Sequence, residues 1–232
     1  MGASKMRSIF LSMASVVLFS CGPEPGARRQ PVAEPPATSG EPAEPSAPVV
    51  RFSAQESGAP DVGPARLRTR EAGRLLLPDG KLAVSDAFIN DYPLVVAGLP
   101  TGDHVVELLV AESASDARVA GARVRVAGGL PASWRRVGFF AVDSGTGAFF
   151  NPLPASTPGS TSITDFNDTL LKALEESYRH TYSVANLAWH GTAYIAFSTG
   201  MGDGTYPVYV GSSSTGSPVT VVVDCESLPW RE

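Results

Sequence analysis

The chain has 232 residues, of which 18 are Lys or Arg and 23 are Asp or Glu, so its formal net charge is −5 at pH 7. This mildly acidic balance excludes the basic surface that binding to nucleic acid, or to anionic lipid by charge alone, requires. Hydrophobic residues make up 43% of the chain. We therefore expect one globular domain, in residues 51–232, with a sizeable buried core.

The first twenty residues have the layout of an export signal. Lys5 and Arg7 give a positive start, and residues 9–19 are uncharged and apolar or small, which is typical of a signal peptide. The apolar run is shorter than the roughly 20 residues that a membrane-spanning helix needs. The sequence therefore predicts a signal peptide over residues 1–20.

The end of this signal, Leu18-Phe19-Ser20-Cys21, resembles the lipobox of bacterial lipoproteins. The resemblance implies that Cys21 is acylated, with palmitate among the acyl groups, and becomes the first residue of the mature chain. An unmodified thiol beside an ordinary cleavage site is the alternative. The lipid makes the membrane a partner and places the protein in the bacterial cell envelope, and Gly22 favours the outer membrane.

Residues 21–50 form a segment of low complexity that is rich in Pro, Glu, Ala, Gly and Ser and contains no aromatic residue. Such a composition buries too little apolar surface to offset the entropy that ordering costs. We predict a disordered tether between the lipid and the domain.

Short apolar stretches separated by turn residues dominate the rest of the chain. Residues 73–84 predict a hairpin around Pro78-Asp79-Gly80, because Pro presets φ and Gly accepts a positive φ. Alternation and β-branched residues predict six further strands, at residues 104–110, 119–126, 137–142, 193–197, 206–210 and 219–223. The last three of these are predicted to form a meander.

One segment has helical periodicity instead. Apolar residues recur every four positions from Phe166 to Leu174, and the basic residues Arg179 and His180 follow them, as suits a helix dipole. We predict one main helix near residues 165–180. The fold class is then α+β, mostly antiparallel β, arranged as a sheet or a sandwich.

Two stretches, VDSGTG at 142–147 and GDGTYPVY at 202–209, carry a resemblance to a known family. In this order, with the predicted helix between them, they are similar to the bacterial domain of unknown function 4241. The resemblance covers about residues 75–224. It implies a boundary for the fold and no activity, because the family has none established.

The sharpest enzymatic hypothesis rests on Asp143-Ser144-Gly145, which ends a predicted strand. Aspartic proteases use two such Asp residues that share one proton, so a hydrolase built on Asp143 requires a homodimer. The alternative is a turn that Asp143 caps with its side chain, while Gly145 and Gly147 adopt positive φ.

The loop at residues 200–204 contains three glycines in five positions, which permits close approach by a ligand or by another strand. The residues of interest there are Gly202, Asp203 and Gly204, followed by Tyr206. Any ligand is expected at this loop and Asp143 together. A wide turn that leads into the next strand is the alternative.

No other chemistry is predicted. His104, His180 and His190 are scattered, and Cys225 lacks a partner if Cys21 is acylated, so we expect neither a metal site nor a cofactor. The preferred function is a non-catalytic envelope lipoprotein with a binding or structural domain. Which protein or small molecule it contacts stays open.

Overall fold

The computed structural model describes residues 47–48, 56–59, 63–89, 92–152, 163–189 and 191–226. The predicted signal peptide, and all of the predicted tether except residues 47–48, lie outside the described residues. Within these ranges no helix has the length and apolar character that crossing a membrane requires.

The described strands form two sheets in which all the pairings are antiparallel. In spatial order, the seven-stranded sheet contains β1 (Glu56–Ala59), β2 (Gly63–Leu77), β5 (Gly102–Glu112), β6 (Ala117–Arg125), β12 (Pro218–Asp224), β11 (Gly204–Ser212) and β7 (Ser133–Val142). The five-stranded sheet contains β4 (Leu94–Val96), β3 (Leu82–Asp86), β8 (Thr146–Phe150), β10 (Thr192–Ser198) and β9 (Val184–Trp189). With the helix α1 (Ile163–Ser177), this confirms a mostly antiparallel β fold with one main helix.

The main core contains residues from both sheets. Phe149 and Phe197 of the five-stranded sheet belong to the same buried cluster as Val124 and Val223 of the seven-stranded sheet. The predicted alternation in β6 is confirmed, because the neighbour of Val124, Arg123, lies on the opposite face and pairs with a carboxylate of β5. Burial of each large apolar side chain contributes about 1.5–3 kcal/mol.

The helix covers the other face of the five-stranded sheet. Phe166, Leu170 and Leu174 are buried against this sheet, as their four-residue spacing predicted. The ring of Phe166 lies 5.1 Å from that of Tyr194, edge to face. The hydroxyl of Tyr194 donates to the carbonyl of Ala87 at 2.8 Å, so the polar end of this buried ring is satisfied.

The helix is shorter than predicted at its C-terminal end. It ends at Ser177, whose hydroxyl accepts a bond from the N–H of Val184 at 2.8 Å and so ties the helix end to β9. Arg179 and His180 lie beyond it, in a tight turn that is closed by paired backbone bonds between Arg179 and Tyr182. These two basic residues therefore do not complement the dipole of the last helical turn.

The predicted hairpin at residues 73–84 is wrong, although its turn is correct. Gly80 adopts a φ of +65°, but β2 pairs with β1 and β5 whereas β3 pairs with β4 and β8. Leu77 and Leu82 both belong to the main core. The turn carries the chain across this core from one sheet to the other, because turn residues fix a reversal and leave the pairing partner unspecified.

The predicted meander is wrong for the same reason. The strand predicted at 193–197 is β10, which pairs with β8 and β9 in the five-stranded sheet. Only β11 and β12 pair with each other. The loop between β10 and β11 is another connection from one sheet to the other.

Candidate functional site

The two glycine-rich segments that the sequence singled out lie side by side at one end of the sheets. The N–H of Thr199 donates to the carbonyl of Gly145 at 3.0 Å. A Cβ atom on Gly145 would lie 3.6 Å from the Cα of Gly202 and 3.8 Å from a carboxylate oxygen of Asp203. The fold therefore brings together the turn at 143–147 and the loop at 200–204.

A buried carboxylate that sequence analysis missed holds the turn at 143–147. One oxygen of Asp86 accepts the N–H groups of Asp143 and Ser144, each at 2.8 Å. The other oxygen accepts the hydroxyl of Ser144 at 2.8 Å and the N–H groups of Phe88 and Ile89 at 2.8 and 3.0 Å. Five donors thus saturate a carboxylate at the end of β3.

Asp143 itself is exposed, and its carboxylate has no hydrogen-bond or ion-pair partner among the described residues. The cap of the turn is Asp86 and not, as predicted, Asp143. Gly145 adopts the predicted positive φ, +65°. Gly147 does not. It lies in β8, where a Cβ would meet the rings of Phe140 and Phe197 at 3.1 and 3.3 Å, so a larger residue would require these rings to shift.

The side chain of Tyr206 closes the loop at 200–204 by bonding to backbone carbonyl groups. The hydroxyl of Tyr206 lies 2.7 Å from the carbonyl of Gly202 and 3.0 Å from that of Thr199, and it donates to them. Burial raises the pKa of Tyr206 to about 12, so the phenol stays a donor at neutral pH. Gly204 begins β11, and Asp203 is exposed. The carbonyls of Gly202 and Thr199 are therefore used internally.

A charged pocket that the sequence did not reveal lies near this loop. It has a volume of about 210 Å³ and lies between the connection from β5 to β6 and the turn that follows the helix. Among the residues that line it are Arg70, Glu112, Asp116, Arg179, His180 and Tyr182. Arg118, which pairs with Asp116 of the pocket, places its Nη1 3.3 Å from the sulfur of Met201 in the glycine-rich loop.

Both carboxylates of the charged pocket have arginine partners. Glu112 pairs with Arg68 at 3.2 Å and also with Arg70. Asp116 pairs with Arg118. Burial opposes ionisation of Asp116, but the bond to Arg118 and its charge outweigh burial and lower the pKa of that carboxyl below its ordinary value. Arginine charge therefore already compensates both carboxylates.

The basic side chains that line the pocket differ in their contacts. Arg179 and His180 are exposed, and neither forms an ion pair with a described residue. The guanidinium of Arg70 lies 5.4 Å from the centroid of the Tyr182 ring, within the range of a cation–π contact. Burial raises the pKa of Tyr182, and the charge of Arg70 opposes this rise.

The other residues considered for chemistry have structural surroundings. His104 is buried in β5, and its Nε2–H donates to the carbonyl of Pro100 at 2.9 Å. His190 lies outside the described residues. Burial raises the pKa of the Cys225 thiol well above its ordinary value, which suppresses the reactive thiolate. No group of three or more His, Cys, Asp or Glu in the described ranges could hold a metal ion.

Comparison with known proteins gives one finding. The family described as "Protein of unknown function (DUF4241)" matches residues 75–223, which run from the end of β2 into β12 and include the helix. No curated protein and no solved structure matches the chain.

Proposed function

Because the chain belongs to the DUF4241 family of proteins of unknown function, its role must be argued from its own residues, and we propose a non-catalytic binding domain. This domain comprises residues 51–232, with the two sheets packed as a sandwich. Lipid on Cys21 holds it in the bacterial cell envelope, at the outer membrane.

The observation that carries the non-catalytic assignment is the use that the fold makes of Asp86. Aspartic hydrolysis needs two carboxylates that share one proton in a common site. The carboxylate of Asp86 is instead committed to five donors, and Ser144 donates its hydroxyl to that carboxylate. Asp143 lies exposed on the outside of this turn. These residues therefore act as a structural support, and the charged pocket is the surface left for binding.

The anchor is argued from the sequence. The lipobox at residues 18–21 and the Pro-rich segment at 21–50 are arranged as a lipid and its tether. The chain is mildly acidic, so attraction to anionic lipid does not retain it, and the acyl chains supply the attachment. Nucleic acid is not a partner for the same reason of charge.

Expression of the full chain in a bacterium tests the anchor. We expect the mature protein to partition into detergent, to carry acyl mass on Cys21, and to become soluble in the Cys21→Ala variant. Cys225→Ala is the matched control, which should still partition into detergent. A mature N-terminus at any residue other than Cys21 would refute the anchor.

The alternative is an aspartic-type hydrolase that uses Asp143 in a homodimer, and a peptide-library digest tests it. The full chain and its Asp143→Asn variant are incubated with the library at acid and at neutral pH. We expect no cleavage by either protein. Cleavage by the wild type that the variant lacks would overturn the non-catalytic assignment.

A further inference from the structure

The charge balance of the charged pocket is the starting point. Two carboxylates line it, and three arginines, Arg68, Arg70 and Arg118, compensate them. Arg179 adds positive charge that no described acidic residue neutralises, and His180 lines the pocket beside it. The chain as a whole carries a net charge of −5. An excess of positive charge within a concave site of an acidic protein favours an anionic ligand.

The donors at the pocket suit oxygen atoms in particular. A guanidinium presents five N–H groups in a planar fork that matches a carboxylate or a phosphate. Among the described residues Arg179 makes only backbone bonds, to Tyr182, so no described side chain occupies its fork. Arg70 is held by Glu112 and by the face of the Tyr182 ring, and it therefore presents its remaining N–H groups from a fixed position.

The backbone at His180 is a second, independent feature of the site. Its φ is +57°, a left-handed conformation at a position in a tight turn where glycine is usually found. The two backbone bonds between Arg179 and Tyr182, at 2.8 and 2.9 Å, hold it there. Strained residues of this kind cluster at binding sites, where the surroundings over-determine them. At this position the turn therefore presents an imidazole side chain to the pocket, where a glycine would present none.

We propose that the charged pocket binds an oxyanion, the carboxylate or phosphate group of its ligand, through Arg179, His180 and Arg70. This inference rests on the proposed binding function and specifies its ligand class. Arg179 is the principal donor, and His180 adds a hydrogen bond to the same group. The ring of Tyr182 forms the wall beside them.

Calorimetric titration of the full-length chain in detergent tests the proposal. The probes are sodium phosphate and sodium succinate, each measured against sodium chloride at equal ionic strength. We expect saturable binding that Arg179→Gln weakens about tenfold, the effect of losing a charge-assisted bond. His180→Gly should weaken it as well while relieving the turn. Arg135→Gln is the matched control, since Arg135 is an exposed arginine on β7 away from the pocket. It should bind as the wild type does.

Each outcome of the titration has a defined meaning. Binding of phosphate alone identifies a phosphoryl ligand, binding of succinate alone identifies a carboxylate ligand, and binding of both identifies a general oxyanion site. Failure of both probes to bind overturns the proposal, as does binding that both pocket variants leave unchanged. These results leave the detergent partition and the peptide digest untouched, so failure of the oxyanion site can be told apart from failure of the proposed function.

Discussion

Two tight turns at the same end of the molecule use their polar groups in opposite ways. The turn at 143–147 directs its backbone N–H groups inward, to the buried carboxylate of Asp86. The turn at 179–182 closes through its own backbone and leaves the side chains of Arg179 and His180 toward solvent. A turn whose polar groups are bonded inside the protein contributes to stability. A turn whose side-chain donors face solvent can bind a ligand instead. Substitutions in the first turn should therefore alter folding, and those in the second should alter binding.

The largest effect is expected from Asp86→Asn. Both oxygens of Asp86 accept hydrogen bonds, and the amide of asparagine would replace one of them with an NH₂ group, which cannot accept. We therefore expect the free energy of unfolding to fall by about 3 kcal/mol. Urea denaturation measures it. The matched control is Asp143→Asn, in which an exposed and unpartnered carboxylate changes, with an expected loss of at most about 1 kcal/mol. Equal losses in the two variants would show that Asp86 is no more important to the turn than the exposed Asp143.

A smaller effect is expected from the glycines of the same turn. In Gly147→Ala the new methyl group would press on the rings of Phe140 and Phe197, so we expect a loss of about 2 kcal/mol from overpacking. In Gly145→Ala the nearest atom is 3.6 Å away, and the positive φ alone should cost about 1 kcal/mol. Thermal unfolding of both variants compares the two costs, and a larger loss for Gly145→Ala would contradict their assignment.

The Tyr206 phenol predicts a loss of stability at high pH. Its pKa is raised from 10.0 to about 12 in the folded chain, so stability is fully present below pH 10 and decreases as the pH rises through 12, because only the unfolded chain ionises in between. A rise of two pKa units corresponds to at most about 3 kcal/mol of this decrease. Urea titrations at several pH values should show a shallower decrease for Tyr206→Phe than for the wild type. An identical decrease in both proteins would contradict the prediction.

The smallest effect is expected in the second turn. His180→Gly exchanges left-handed strain for greater freedom of the unfolded chain, so the free energy of unfolding should change by no more than about 0.5 kcal/mol. The neighbouring Thr181→Gly is the control. It removes a hydroxyl that donates to the carbonyl of Ala117 at 2.8 Å, and it should lower stability by about 1 kcal/mol. A large loss for His180→Gly would show that this turn, too, is chiefly structural.

The sequence predicts elements better than it predicts their neighbours. The apolar spacing of Phe166 and Leu174 is enough to place the helix, and the alternation of Val124 with Arg123 is enough to orient β6. The pairing of strands across a connection is not predictable in this way, because both sheets bury one side of their strands against the same core. The reversal at Gly80 therefore looks like a hairpin although it joins two sheets.

The contacts of the candidate site are likewise predictable only where they are local in the sequence. The bonds that Asp86 accepts from Phe88 and Ile89 are local, and an aspartate at the end of a strand is a recognisable signal for them. Its bond to Ser144 joins residues 58 positions apart, and no local pattern carries that information. The charged pocket is assembled from β2, the connection after β5 and the turn after the helix, so its residues become neighbours only in the folded chain.

The position of β12 governs the order in which this fold is completed. Although it is the last described strand, it lies within the seven-stranded sheet, between β6 and β11. β6 therefore lacks its second neighbour in the sheet until residues 218–224 are available to pair with it. The two parts of the sheet on either side of β12 cannot be joined before then. Folding of this sheet is consequently completed late and depends on pairings distant in the sequence, a topology associated with slow folding.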